Sequence, residues 1–393
     1  MLKMVDGTGI IGVDMVCPLG GAVSPPQPPN FDKVEVEGVG GLMLPNSLKA
    51  PIERLELIGN SVQGENPAPD NPQEIKSAGR YDESSGKYLL DVKVTGKNLF
   101  DINYFKEKSN LQTIQGGGFT LLGIICNVKP NTKYTLSARL AEVKYNLNIA
   151  NKVTRYSLTS SPSRTLVSNA DGTLYIGLFN ATVNSINMDD FMQQYQNIQL
   201  EEGTIATDYE AYQEPQTLTL TSDRPITKWD KLVEQGGQYG WLYQSASNTD
   251  VKPSRLDLFP NGFSLFKDFG NGVYVYKVTN IKKAIGFQTS LCEQFKNKDG
   301  SYSTGDLFCY SDQPSMQMQY FVTDIPTLEE FKTWMEANPL TMVYKTTESH
   351  FIPLPESEQT QLRNLHSYIG TTNIMVDSGE IPCGIKLTYR KEK

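Results

Sequence analysis

The feature that most constrains this chain is a period of two. Apolar residues recur at alternate positions in short runs, and turn residues end each run. Val34 and Val36 alternate with Lys33, Glu35 and Glu37; Tyr88, Leu90, Val92 and Val94 alternate with Leu89, Asp91, Lys93 and Thr95. Tyr134, Leu136, Ala138 and Leu140 alternate with Lys133, Thr135, Ser137 and Arg139. Successive side chains on a strand point to opposite faces, so such runs bury one face and wet the other. Asp171-Gly172 is a hairpin-type turn leading into Thr173 to Phe179. Thr217 to Thr221, Val273 to Val278, Thr372 to Val376 and Ile385 to Tyr389 continue the pattern to the C-terminus. A chain built this way is expected to be mainly β.

Proline and glycine divide it. Residues 1–30 end in Ser24-Pro25-Pro26-Gln27-Pro28-Pro29, the composition of an extended arm that lacks material for a core. Residues 31–96 carry strands and a rigid connector, Asn66-Pro67-Ala68-Pro69-Asp70-Asn71-Pro72, whose prolines remove donors and fix φ. Residues 97–213 hold short, turn-bounded strands at regular spacing, which predicts a β-sandwich with its own beginning and end. Residues 214–393 stay β-rich. Thr327 caps a predicted helix with Glu330 at the capping-box position, an apolar stripe of Leu328, Phe331, Trp334 and Met335, and a stop before Pro339. Ser357 to Leu365 is a second short helix. The flanks read as half-complete sheets, so the expected architecture is a β-sandwich module inserted in, or flanked by, a second β-rich domain with one or two short helices.

Composition removes several functions. Asp plus Glu is 44 against 36 Lys plus Arg, a net charge of -8, with no basic run to displace counterions from phosphates. Nucleic acid and anionic membrane surfaces are therefore poor partners, and no apolar stretch is long enough to insert into a bilayer. The five cysteines, Cys17, Cys126, Cys292, Cys309 and Cys383, form no C-x-x-C pair and no disulfide-like framework. Asp6 and Asp14 interrupt the N-terminal apolar stretch, so the expectation is folding in a cytoplasm without an export signal. Gly7-Thr8-Gly9-Ile10-Ile11-Gly12 matches a dinucleotide fingerprint in letters alone, because only six residues precede it and Pro18-Leu19-Gly20-Gly21 closes off a helix after it. The two histidines, His350 and His366, lack a metal-binding or nucleophile-elbow context. Adjacent carboxylates such as Glu201-Glu202 point to opposite faces of a strand and do not flank one bond together. The expectation is a protein that binds without catalysing, with no organic cofactor.

Aromatic rings with planar polar neighbours are the strongest binding signal. Tyr faces suit the C–H side of a sugar, and Asn, Gln and Arg suit its hydroxyls. Tyr145, Asn148, Arg155, Tyr156 and Arg164 form one candidate cluster, and Trp241 with Tyr243 a second. The bland alternative is ordinary strand packing, where Tyr is also common.

Three further stretches carry a resemblance. They are Leu57-Ile58-Gly59-Asn60-Ser61-Val62-Gln63 with Pro67 to Ile75 and Gly96-Lys97-Asn98-Leu99-Phe100-Asp101; Asn197 to Tyr209; and Asn338 to Tyr344 with Ile352-Pro353-Leu354-Pro355 and Gly370 to Ile374. Together they resemble tail-tip, baseplate and tail-fibre proteins of phages and prophages of Gram-positive bacteria, from about residue 51 to the C-terminus. Asn197 to Tyr209 is similar to the last strand of the carbohydrate-binding-module-like jelly rolls that such proteins carry. The resemblance implies a jelly-roll-like sandwich and a virion tail protein, assembled in the host cytoplasm. It implies attachment to host cell-surface glycan, other tail and baseplate proteins as partners, and a homo-oligomer, threefold for a fibre or tail tip. It assigns no catalytic residue. Related jelly rolls often hold a structural calcium, for which Asp101, Glu202 and Asp208 are the acidic candidates here; the residues themselves leave a metal undetermined. Two alternatives stay open: a purely structural baseplate component and a glycan-degrading tail enzyme.

Overall fold

The structure is a computed structural model that describes residues 5–6, 9–10, 31–46, 49–141, 144–251, 266–268, 270, 272–278, 290–297, 306–313 and 316–392. It is mainly β and almost wholly antiparallel. The arm expected over residues 1–30 lies outside the described residues, apart from a short ladder that pairs Val5–Asp6 with Gly9–Ile10.

Two facing sheets form a frame. The larger has seven strands in the order Ser290–Cys292, Leu340–Pro353, Gln238–Val251, Lys231–Gln235, Ile52–Ile58, Gly384–Glu392 and Phe31–Val39. The smaller runs Gln216–Ser222, Lys87–Gly96, Gly370–Asp377 and Gly41–Asn46, with Arg80–Asp82 also pairing against Lys87–Gly96. The alternation read from the sequence sets which face is buried. Leu90, Val92, Val94, Leu218, Leu220 and Ile374 of the smaller sheet meet Leu55, Leu57, Leu232, Trp241, Ile385 and Leu387 of the larger in one core. Strands from residues 31–96 therefore pair directly with strands beyond residue 214. Val94 lies opposite Gln216, and Leu55 lies opposite Leu387.

The chain between these paired strands forms a separate sandwich. Its five-stranded sheet has the order Gln112–Gly116, Phe119–Asn127, Thr173–Phe179, Leu147–Ala150 and Arg155–Ser157. It packs on a three-stranded sheet, Ser163–Val167, Lys133–Leu140 and Tyr195–Glu202. Leu122, Ile124, Leu136, Ile149, Ile176 and Leu200 are among the residues of its own core, distinct from that of the frame. The expected architecture, a β-sandwich set within a second β-rich domain, is what the chain adopts.

A further sheet, ordered Phe266–Asp268, Val273–Val278, Met316–Val322, Asp306–Gln313 and Lys296–Asn297, accompanies helix Leu328–Ala337. Thr327 Oγ1 accepts from Glu330 N at 3.3 Å, and the helix stops at Asn338 before Pro339. Phe331 of its apolar stripe stacks on Tyr274 at 4.9 Å, and Trp334 packs against the same small core. The other expected helix is Glu356–Asn364. Two more short helices, Ile102–Lys106 and Met188–Gln194, sit in the sandwich where the sequence pattern shows only loops. Each is started by a side-chain cap: Asp101 Oδ1 accepts from Asn103 N and Tyr104 N, and Asn187 Oδ1 accepts from Asp189 N and Asp190 N.

Candidate functional site on the sandwich sheet

The five-stranded sheet of the sandwich has two very different faces. Leu122, Ile124, Leu174, Ile176, Leu178, Leu147 and Ile149 point into the sandwich core. The alternate residues point outward, and there Ile114, Phe119, Leu121, Ala150, Tyr175 and Phe179 make a second apolar cluster. Most of this cluster is itself covered, with Leu121 and Ala150 0% exposed and Tyr175 and Phe119 below 10%, and Phe179 is its part-exposed member.

Two facing glycines shape that outer surface. Gly123 is paired with Gly177, and Gly177 with Asn148. A Cβ on Gly123 would lie 2.1 Å from the carbonyl oxygen of Ile176, and one on Gly177 would lie 2.8 Å from that of Leu122. Only glycine lets these two backbones approach so closely. The result is a strip of buried backbone without side chains, between the Leu121–Phe179 pair on one side and the Ile125–Tyr175 pair on the other.

Arg155 reaches over this strip from the edge strand. Its Cζ lies 3.8 Å from the centroid of Phe179, a cation–π stack. Its Nη1 donates to Asn148 Oδ1 at 2.6 Å, and Asn148 is 0% exposed beneath it. Asn148 Nδ2 donates to the carbonyl and Oδ1 of Asn146, and Ser157 Oγ donates to the same Oδ1. Arg164 holds the edge: its Nε donates to the Ser157 carbonyl at 2.8 Å and its Nη2 to Ser160 Oγ at 2.7 Å. The geometry thus supplies an aromatic ring, a guanidinium held over it, and planar amide groups in one network. Arg155 Nε and Nη2 make no hydrogen bond among the described residues, so they are left to donate to a ligand.

The other candidate residues fall elsewhere. Tyr156 is 45% exposed on the same edge strand but alternates with Arg155 and Ser157. Tyr145 is held inside the sandwich. Its carbonyl accepts from Gln194 Nε2 at 2.6 Å and Tyr195 Oη at 2.8 Å, its hydroxyl accepts from Asn187 N at 2.9 Å, and its ring packs edge-on to Phe191. Trp241 is 2% exposed in the frame core, and its Nε1 donates to the Thr221 carbonyl at 2.7 Å.

Tyr243 is buried as well, but it forms the floor of a cleft of about 410 Å³ lined by Asp223, Arg224, Glu348, His350 and Ile352. Arg224 stacks on the Tyr243 ring at 4.0 Å. It is anchored by the Ser245 carbonyl at 2.9 Å and by Asp230, which is 0% exposed. Asp230 also accepts from Thr227 N, Thr227 Oγ1, Gln244 N and Ser245 Oγ. A buried carboxylate with this many donors is a structural anchor.

The acidic residues named for calcium are not gathered. Asp101 is a helix cap, Glu202 pairs with Lys129 at 2.9 Å, and Asp208 uses its backbone carbonyl to accept from Lys97 Nζ. Among the described residues no group of three or more His, Cys, Asp or Glu comes together. Sequence reasoning missed Phe179 and the Gly123–Gly177 pair. Phe179 lies in a run already read as a strand, but its partnership with Arg155 depends on register, which no local pattern carries.

No family model, no curated protein and no solved structure matches the chain.

Proposed function

We propose that this is a virion tail protein, of a tail tip, baseplate or fibre, that attaches the particle to a host-surface glycan by non-covalent binding. The observation that carries the binding half of this reading is the outer face of the sandwich sheet, where Arg155 sits over the Phe179 ring and bonds Asn148. Aromatic and guanidinium planes accept the apolar face of a sugar, while the free N–H groups of Arg155 suit its hydroxyls. The virion half rests on the resemblance of residues 51 onward to phage tail proteins. In this reading the partners are other tail and baseplate proteins, and the chain works as a homo-oligomer, a trimer in a fibre or tail tip. Single sugar contacts are weak, and copies displayed together raise avidity through effective concentration. No covalent step and no cofactor is involved.

The test is binding of the full chain to an array of bacterial surface glycans, with Arg155→Ala and Phe179→Ala alongside. The expected result is selective binding by the parent that falls on the order of tenfold in either variant. An array without any binding, or binding indifferent to both substitutions, overturns the reading. One observation favours the structural alternative: the Asn146–Asn148–Ser157 network is already satisfied within the chain. A face that packs against a neighbouring tail subunit would give a silent array together with association of purified subunits.

A further inference from the structure

We infer that the frame carries a second carbohydrate site, a stacking groove for a neutral pyranose built on Tyr81 and Tyr88. The inference shares its ligand class with the proposed function but stands on a different part of the molecule, about which the sandwich face says nothing.

The groove lies at the end of the smaller sheet of the frame, where Arg80–Asp82 pairs with Lys87–Gly96. Tyr88 lies opposite Ser222, on the face that also carries Leu90 and Leu220 into the core. Tyr81, on the short strand Arg80–Asp82, lies directly opposite Tyr88. Both rings therefore belong to the inner face, yet Tyr81 is 55% exposed. Their centroids are 5.2 Å apart at 52°. The pair forms one wall of a groove of about 700 Å³ whose other sides include Ile75, Lys76, Pro225 and Glu380. That volume suits a short oligosaccharide. A cross-strand pair usually completes a core, and here it leaves the Tyr81 ring open to solvent beside a half-buried Tyr88.

The charges around the groove decide the class of ligand. Lys76 is paired with Glu380, and Arg80 Nη2 with Asp91 Oδ2 at 2.8 Å. Both cations are thus paired, while Glu74, which also lines the groove, has no ion pair among the described residues, so an anionic ligand finds no free cation here. All four pairing side chains remain substantially exposed, so their outer N–H groups and carboxylate oxygens stay open to groups that both donate and accept. Sugar hydroxyls do both, and a pyranose ring has the apolar face that the tyrosines need.

Saturation-transfer NMR with the full chain and 3-fluorotyrosine labelling tests this, using cellobiose, maltose, lactose and di-N-acetylchitobiose as probes at about 20 mM, a concentration set by weak single-site contacts. The parent is expected to bind at least one probe through Tyr81 and Tyr88. Tyr81→Ala is expected to weaken that binding on the order of tenfold while Tyr81→Phe retains it, because stacking needs the ring. Arg155→Ala should leave the Tyr81 and Tyr88 responses unchanged. Thermal melts confirm that the variants are folded. The inference is overturned if no probe perturbs Tyr81 or Tyr88, or if Tyr81→Ala binds as well as the parent. It is also overturned if a proline-rich peptide, the other ligand of tyrosine-lined grooves, binds there while every sugar is silent. Sugar binding lost in Arg155→Ala but intact in Tyr81→Ala would sink this site and leave the sandwich reading standing.

Discussion

At the scale of the residue, burial governs the chemistry of the thiols and phenols. Cys126 and Cys292 are enclosed, and desolvation pushes both thiols up to about 12. Tyr134 is also held up to about 12, mainly by burial, although its hydroxyl accepts from Lys129 N at 3.0 Å. These groups keep their protons in the folded state at pH values where an unfolded chain would lose them. Their contribution to stability is therefore complete below the ordinary thiol value of 9.0 and is lost as the pH rises toward 12. The thermal midpoint is expected to hold between pH 7 and 9 and to fall progressively above 9, with Cys126→Ala flattening part of the decline. A midpoint that stays level to pH 11 would contradict this. In the native protein Cys126, Cys292 and Cys383, all buried, should also resist thiol reagents that modify them in denaturant.

At the scale of the element, helices begin where a side chain supplies the acceptor that the backbone lacks. Thr327 does this for Leu328–Ala337, and its hydroxyl also donates to Glu330 Oε2 at 2.8 Å. Thr327→Ala should cost that helix about 1 kcal/mol, and Thr327→Ser should recover most of it. Hydrogen exchange across residues 328–337 reads the effect directly, since faster exchange confined to this helix is the expected signature. Unchanged protection would mean that packing of Phe331 and Met335, both fully buried, holds the helix without its cap.

At the scale of the whole molecule, the frame is closed by pairings that jump over the sandwich. Val94 and Gln216 face each other across the ladder although the entire sandwich separates them in sequence. The two cores are separate. The junction is polar: Glu210 pairs with Lys97 at 2.9 Å and accepts from Thr371 N at 2.8 Å. Joining Gly96 to Glu214 through a short turn should therefore leave a folded frame, and residues 97–213 should fold alone. Circular dichroism and a cooperative melt for each piece check this. Loss of cooperative unfolding in the shortened frame would show that the sandwich is needed to hold the strands in register.

Much of this was legible in the residues. Alternation placed the strands, Thr327 with Pro339 bounded a helix, and the composition of Asn148, Arg155 and Arg164 marked the edge of the candidate face. These signals are local, because strand periodicity and caps act within a few residues. The same local view grouped Trp241 with Tyr243 and named Tyr145 beside Asn148, whereas the fold sends Trp241 to the frame core and ties Tyr145 to the helix Met188–Gln194. By itself the sequence determined that the chain would be built of half-buried strands with few helices. Only the tertiary structure decided which strands meet, that Arg155 lies on Phe179, and that Tyr81 stands uncovered beside Tyr88. The reason is physical: alternation says that a strand has two faces, but pairing and register, set by contacts between distant segments, say what each face touches.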